Sequence, residues 1–431
     1  MQTAAHAEGR AGRARRLAAP ERPVPPGDVR ESQKDTYDVA MTRLAGSSKL
    51  LRAMNESAAL AHLLQPGGLT RADLRRLTAL STPTISEVLR RLTEAGLITV
   101  VGHNSGRPGP NAEIYAADPD AAYAAAVSLR DIGASRAPSV TAALCDLTGA
   151  VRARTRTHID FLTTDPRTAV ADTVTALLAE AAVPAARLQH VQLGVAGSYD
   201  AYAGTIRHVD IPGFARPGLV PEIATALGTR VGVDNDVNLA AVAERRRGAG
   251  RDADGFVLLW LGEDGLGLAI DLDGTVLRGS RGGAGEIGYM PLYAPGTPQR
   301  KVDLQDLIGG PAVLALGREH GVPGSTPVEV AAASAGFPDF LAELADRISV
   351  GLAAVIAVLD PALVVLAGPV AQAAGAPLLA AVTAAVRRNA PLESRIAAST
   401  LDDDAVLLGA LDAGLAAVHD ALIGAIRDGR P

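Results

Sequence analysis

The chain has 431 residues, too many for one ordinary domain, and 48% of them are hydrophobic against 20% charged, enough for two or three packed cores. Aromatics at 3% argue against single-strand or RNA recognition by base stacking, and a lone cysteine, Cys145, excludes a disulfide framework and any multi-cysteine zinc site. The net charge of −6 is unevenly spread: residues 1–45 hold eight basic and six acidic groups and residues 46–115 eight and five, so this front is at +5 and the remainder at −11. A basic front on an acidic body is the pattern expected of a DNA-binding head on a sensor. No run of about 18 apolar residues is read from the sequence, and the opening MQTAAHAEGRAGRARR has no signal-peptide core, so a cytoplasmic protein that meets no membrane is expected.

Residues 1–45 mix Arg, Pro, Gly and acids without an apolar period and read as a disordered arm, with Arg10, Arg13, Arg15 and Arg16 as its cations. Three helical patterns and a hairpin follow, from Ser48 to about Glu113. Thr70 is placed to cap a helix, with Asp73 three residues on as in a capping box; Leu74 and Leu77 supply its buried side and Leu80 fills the turn. Ser81 caps the next helix, where Pro83 is tolerated in the first turn, and Ile85, Val88, Leu89 and Leu92 set one face inward. The opposite face presents Thr82, Pro83, Ser86, Glu87 and Arg90. Leu97–Val101, a Gly- and Pro-rich turn with Arg107 at its tip, and Ala112–Tyr115 read as a β-hairpin wing.

Cap, turn, periodicity and wing in this order predict a winged helix-turn-helix for double-stranded DNA, against the plainer alternative of a helical protein-docking module. Direct readout falls to Thr82, Thr84, Ser86 and Arg90, phosphate contact to Arg71, Arg75 and Arg91, and a minor groove or phosphate to Arg107. Such heads bind paired half-sites, so a homodimer or tetramer is expected.

Beyond Ala117-Asp118-Pro119-Asp120 the chain alternates strand-like and helix-like segments, with strands at Ala124–Leu129, His190–Val195, Thr229–Val233, Phe256–Leu261 and Ala362–Leu366, which indicates an α/β fold. It carries, in order, Gly194-Val-Ala-Gly-Ser-Tyr-Asp200, Val233-Asp-Asn-Asp-Val-Asn238, Asp264-Gly-Leu-Gly267, Arg281-Gly-Gly-Ala-Gly-Glu-Ile-Gly288 and Leu359-Asp-Pro-Ala-Leu-Val-Val-Leu-Ala-Gly368. This ordered set resembles the ROK family of repressors, open reading frames and sugar kinases. The resemblance implies a winged helix-turn-helix at 46–117 and a two-lobed, actin-like sugar-kinase domain at 121–425. Its lobe boundary falls near 237–245, its C-terminal helix returns to the first lobe, and a ligand cleft lies between the lobes.

Residue by residue, the resemblance gives Asp236 the place of the catalytic base, and Asn235 and Glu286 those of sugar-hydroxyl ligands. Asp210 stands where the family commonly has asparagine, Gln305 where it has a ligand glutamate, and Tyr289 where it has a zinc-binding histidine, leaving Tyr289 to offer a hydroxyl or to pack. The plainer alternative is that Asn235 and Asp236 only cap a helix and that Glu286 sits in a structural turn. The kinase motifs are degenerate. Ser128 and Arg130 occupy the acid and glycine positions of the first phosphate loop, with Asp131 and Gly133 only a shifted version, and Asp264 replaces a threonine of the second. The expectation is a sugar-sensing regulator, a repressor, with no kinase activity, no metal and no cofactor.

Overall fold

The computed structural model describes residues 50–104, 112–130, 139–292, 302–401 and 404–428. The arm with Arg10, Arg13, Arg15 and Arg16, the hairpin tip with Arg107, the segment holding Asp131 and Gly133, and the side chain of Arg130 lie outside the described residues. The chain divides after Met54, and the second unit, Asn55–Pro431, carries the architecture.

Residues 55–63 form a helix, α1, followed by β1 (Leu69–Thr70), α2 (Arg71–Thr78), α3 (Thr82–Glu94), β2 (Ile98–Asn104) and β3 (Ala112–Ala117). The Thr70 hydroxyl accepts the Asp73 amide while the Asp73 carboxylate accepts the Thr70 amide, a reciprocal cap that fixes where α2 starts. Ala79 in the left-handed region ends α2, and Ser81 caps α3 by accepting from the Thr84 amide. Ile85, Val88, Leu89 and Leu92 are all buried, in one core with Leu60, Leu63 and Leu74. Leu77 departs from the sequence reading and is 40% exposed. Only Leu74 on this short helix faces inward, and Leu80 packs on the core from the turn instead. The strands pair antiparallel in the order β1-β3-β2, with a bulge between Val100 and Gly102.

The first body sheet runs β10 (Arg230–Asn235), β7 (Leu188–Val195), β4 (Tyr123–Arg130), β5 (Ser139–Asp146), β6 (Val151–His158), parallel among β10, β7 and β4 and antiparallel beyond. The second runs β13 (Thr275–Val276), β12 (Leu266–Leu272), β11 (Gly255–Leu261), β14 (Leu363–Ala367), β15 (Arg395–Ala398). A hairpin of β8 (Ser198–Asp200) and β9 (Thr205–Arg207) stands beside the first sheet. Side chains alternate along β4: Ala125 and Val127 pack with α4 (Pro166–Glu180) and α5 (Leu219–Leu227), Ala124 and Ala126 with α12 (Ala405–Arg427). α6 (Asp236–Arg247) and α12 pack on each other and share a core with Phe256 and Leu258 of β11, so they lie between the sheets. Gly409 of α12 meets the α6 backbone so closely that a Cβ there would fall 1.7 Å from the Leu239 carbonyl oxygen. α7 (Leu304–Ile308), α8 (Gly310–Glu319) and α9 (Pro327–Ala333) join α10 (Pro338–Leu359) and α11 (Pro369–Asn389) on the far face of the second sheet.

By length and composition α11 and α12 are long and apolar enough to cross a membrane, although Gln372 and Thr383 interrupt one and Asp412, His419 and Asp420 the other. Both are core helices here: α12 is half buried against α6 and the first sheet, and α11 is interrupted at Gly375, two residues before Pro377.

Candidate functional site

Parallel strands leave their C-terminal ends on one side, where ligands of open α/β sheets bind. Ser128, Gly194 and Asp234 stand in register across β4, β7 and β10 at that edge. A cavity of about 1010 Å³ opens there, between the two sheets. The structure brings Asp210, Asn235, Asp236, Glu286, Tyr289 and Gln305 together in its lining, along with Ser128 and Asp264.

Asn235 ends β10 and caps α6: its amide oxygen accepts from the backbone of Val237 and Asn238, and its Nδ2 donates to the Gly197 carbonyl at 3.2 Å. Asp236 opens α6 and accepts from the Val237 amide at 2.8 Å. The capping role and the place in the cleft therefore coexist. Beneath them Asp234 is 6% exposed. Arg278 donates to its Oδ2 at 2.6 and 2.9 Å, while Asn238 Nδ2 and the Asn235 amide donate to Oδ1. This ion pair runs from the first lobe to the loop after β13 and holds the start of α6 in place.

That loop closes one side of the cleft. Gly282 and Gly285 adopt positive φ, and a Cβ on either would fall about 2 Å from a backbone oxygen, of Tyr199 and Leu268 respectively. The turn so formed lays Glu286 against the β8–β9 hairpin, where its carboxylate accepts from Ser198 Oγ. Tyr289 reaches across to His208, hydroxyl to Nδ1, at 3.1 Å. Partial desolvation of the hydroxyl on this otherwise exposed side chain, and then the negative charge of Glu286, Asp210 and Asp303, raises the Tyr289 hydroxyl above its ordinary range. Gln305 does something other than the sequence suggests. Its Nε2 donates to the Asp264 carbonyl at 3.0 Å and its Oε1 accepts the Leu266 amide at 3.2 Å, so it braces the second phosphate loop.

The residues present do not fit a zinc ion. Tyr289 stands in place of the histidine, Cys145 is buried in β5, and no group of three or more His, Cys, Asp or Glu among the described residues is placed to hold a metal. A magnesium nucleotide fits poorly too: Ser128 offers a hydroxyl where an acid is needed, and Asp264 adds a carboxylate to the lining. Sequence reasoning missed His208, Ser198, Trp260 and Glu263. Ser198 lies in the Gly194–Asp200 motif, but only the fold shows that it donates to Glu286 and that His208 lines the cleft.

In the head, Thr82 and Pro83 are exposed, with Thr84 and Ser86 half-buried, at the N-terminal end of α3. Arg90 is exposed and pairs with Glu87 and Glu94. Arg91 pairs with Glu87 and Glu56, and Arg71 with Glu113 and the Tyr115 hydroxyl. Arg90 and Arg91 together draw the Glu87 carboxyl down to about 2.

Two α/β lobes around a cleft, with paired helices between the sheets, define a sugar-kinase fold. The ROK family model matches residues 131–416, and the chain belongs to this family. A crystal structure of a ROK family transcriptional regulator, a homolog of the Escherichia coli MLC protein, superposes with a TM-score of 0.68 at 22% identity, covering 88% of this chain and 99% of that one. The bifunctional enzyme NanE/NanK of Brucella suis is 32% identical over 194 residues, which is 44% of this chain and 36% of the enzyme. The β-glucoside kinase of Listeria innocua is 44% identical over 69 residues, 16% of this chain and 23% of the kinase. The chain thus matches 36% of the length of the first of these curated relatives and 23% of the second.

Proposed function

We propose that this protein is a DNA-binding transcriptional regulator, a repressor released by a sugar, whose ROK body serves as sensor and has lost kinase chemistry. Residues 46–117 are the winged helix-turn-helix head and residues 121–425 the sensor. The observation that carries the reading is the single hydrophobic core running from Leu60, Leu74 and Leu89 through α12 to α6. α6 bears Asn235 and Asp236 at its cleft end, while the far end of α12 meets the head, where Ser57 Oγ donates to the Ile423 carbonyl. A ligand in the cleft and a duplex on α3 thereby act on one packed body. Thr82, Pro83, Thr84, Ser86 and Arg90 read bases, and Arg71, Arg75, Arg91 and Arg107 hold phosphates or, for Arg107, the minor groove. The similarity to a ROK transcriptional regulator over 88% of the chain supports the head-plus-body arrangement.

The protein acts as a homodimer or tetramer across paired half-sites of operator DNA. Sugar shifts DNA affinity only by its differential affinity for two states; a coupling of about 1–3 kcal/mol changes operator binding several-fold to about a hundredfold. The test is retention of genomic duplex fragments by the purified protein across a salt series, with and without a sugar panel. Absence of salt-sensitive retention refutes the regulator reading. Retention that no sugar alters leaves a ligand-blind DNA-binding dimer.

A second reading, a bifunctional ATP-dependent sugar kinase, is favoured by Asn235 and Asp236 in the cleft and by the kinases among the relatives. ADP release that needs sugar and vanishes in Asp236→Asn establishes it and overturns the loss of catalysis.

A further inference from the structure

We propose that the cleft is built for an unphosphorylated oligosaccharide, longer than one ring, which reaches from the His208–Tyr289 rim to Trp260; this rests on the sugar-sensing reading above. The first argument is charge. Asp210, Asp236, Glu286 and Asp303 line the cavity, Glu263 and Asp264 line it beside the second phosphate loop, and among the described residues no Arg or Lys does. The nearby guanidiniums of Arg278 and Arg281 are paired with Asp234 and Asp200 and stand outside the lining. A sugar phosphate or a nucleotide placed here meets carboxylates of its own sign. Uncharged sugar hydroxyls meet acceptors matched to them.

The second argument is size. About 1010 Å³ lies at the top of the range of roughly 300–1,000 Å³ that holds drug-sized ligands, and a single hexose fills only a small part of it. The third argument is the pair of aromatic walls. Tyr289, with His208 beside it, stands exposed at the rim. Trp260 is half-buried on β11 and lines the same cavity as Val237, Pro369 and Val406. Sugar rings are polar at their edges and apolar on their faces, so successive rings pack on such walls.

Trp260 is the chain's one tryptophan, which makes it a reporter. The full chain is titrated with glucose, maltose and maltotriose, with cellobiose and cellotriose, and with N-acetylglucosamine and its dimer and trimer, by intrinsic fluorescence and calorimetry. Glucose 6-phosphate, N-acetylglucosamine 6-phosphate and magnesium ATP complete the panel. In at least one series the dimer or trimer is expected to bind ten-fold or more tightly than its monomer and to shift the emission. The phosphates are expected to bind at least ten-fold more weakly than their parent sugars. Trp260→Phe, read by calorimetry, lowers oligosaccharide affinity several-fold and lowers monomer affinity by a smaller factor. Glu263→Gln with Asp264→Asn narrows the discrimination against phosphate. A monomer that binds as tightly as its oligomers, or a phosphate that binds more tightly than its parent, overturns this inference while leaving sugar sensing in place. If no saccharide of any length binds, both fall.

Discussion

Asp234 offers the sharpest test of how the cleft is held. Asp234→Asn keeps the shape and the Oδ1 acceptor for Asn235 and Asn238, but turns toward Arg278 an amide with no charge. Breaking a fully buried pair by removing one partner costs about 3–5 kcal/mol. Asp234 is buried, but the Arg278 side chain is 48% exposed and regains water, so about 2 kcal/mol is expected. At about 2–4 °C per kcal/mol for a body of this size, the melting temperature falls by about 4–8 °C. Urea unfolding of Asp234→Asn, Arg278→Gln and the double variant forms a cycle whose coupling should be about 1–2 kcal/mol. Strict additivity would refute the claim that this pair joins the lobes. So would an unchanged midpoint for the single Asp234 variant.

Three further outcomes follow from the same geometry. Glu244 is fully buried with Ser399 Oγ and the Ala249 amide as donors, and burial raises its carboxyl above the ordinary range. The folded state therefore holds this proton longer than the unfolded chain does, and its contribution to stability is lost as pH rises from the ordinary carboxylate range through the raised value. Glu244→Gln should flatten that part of the pH–stability curve measured by urea unfolding. Gln305→Ala removes two hydrogen bonds from the Asp264–Leu266 loop, about 1–2 kcal/mol, and should speed hydrogen exchange at the Leu266 amide roughly 5- to 30-fold without moving the global midpoint much. Leu89→Ala leaves a cavity in the head core worth about 2–5 kcal/mol and should abolish duplex retention at temperatures where sugar binding by calorimetry persists.

The head was legible because its signals are local. Capping residues, a turn and a four-residue apolar row fix α2 and α3 within a few positions, and the structure differs mainly at Leu77. Strands with both faces buried, such as β4 and β11, stand out as apolar runs. β6 did not. It reads Val-Arg-Ala-Arg-Thr-Arg-Thr-His, an edge strand whose arginines pair with Asp146 across the preceding turn and, far off in sequence, with Asp120 and Asp404. Distant pairing also hid the tasks of several site residues. Nothing near Gln305 in the chain says that it braces Asp264 and Leu266, and nothing near Tyr289 points to His208. Glu94 four residues after Arg90 was a local clue to that side chain's restraint, and it was readable from helix periodicity alone.

The contact at Gly409 has a mechanical consequence. Where two helices meet through long side chains, rotamer changes absorb small displacements before the partner feels them. At Gly409 and Leu239 main chain rests on main chain, so there is no cushion to compress. A tilt of α6 set by whatever occupies its cleft end is handed to α12 almost undiminished, like two bars welded at one point. Even an alanine at position 409 would pry the bars apart and disconnect the lever.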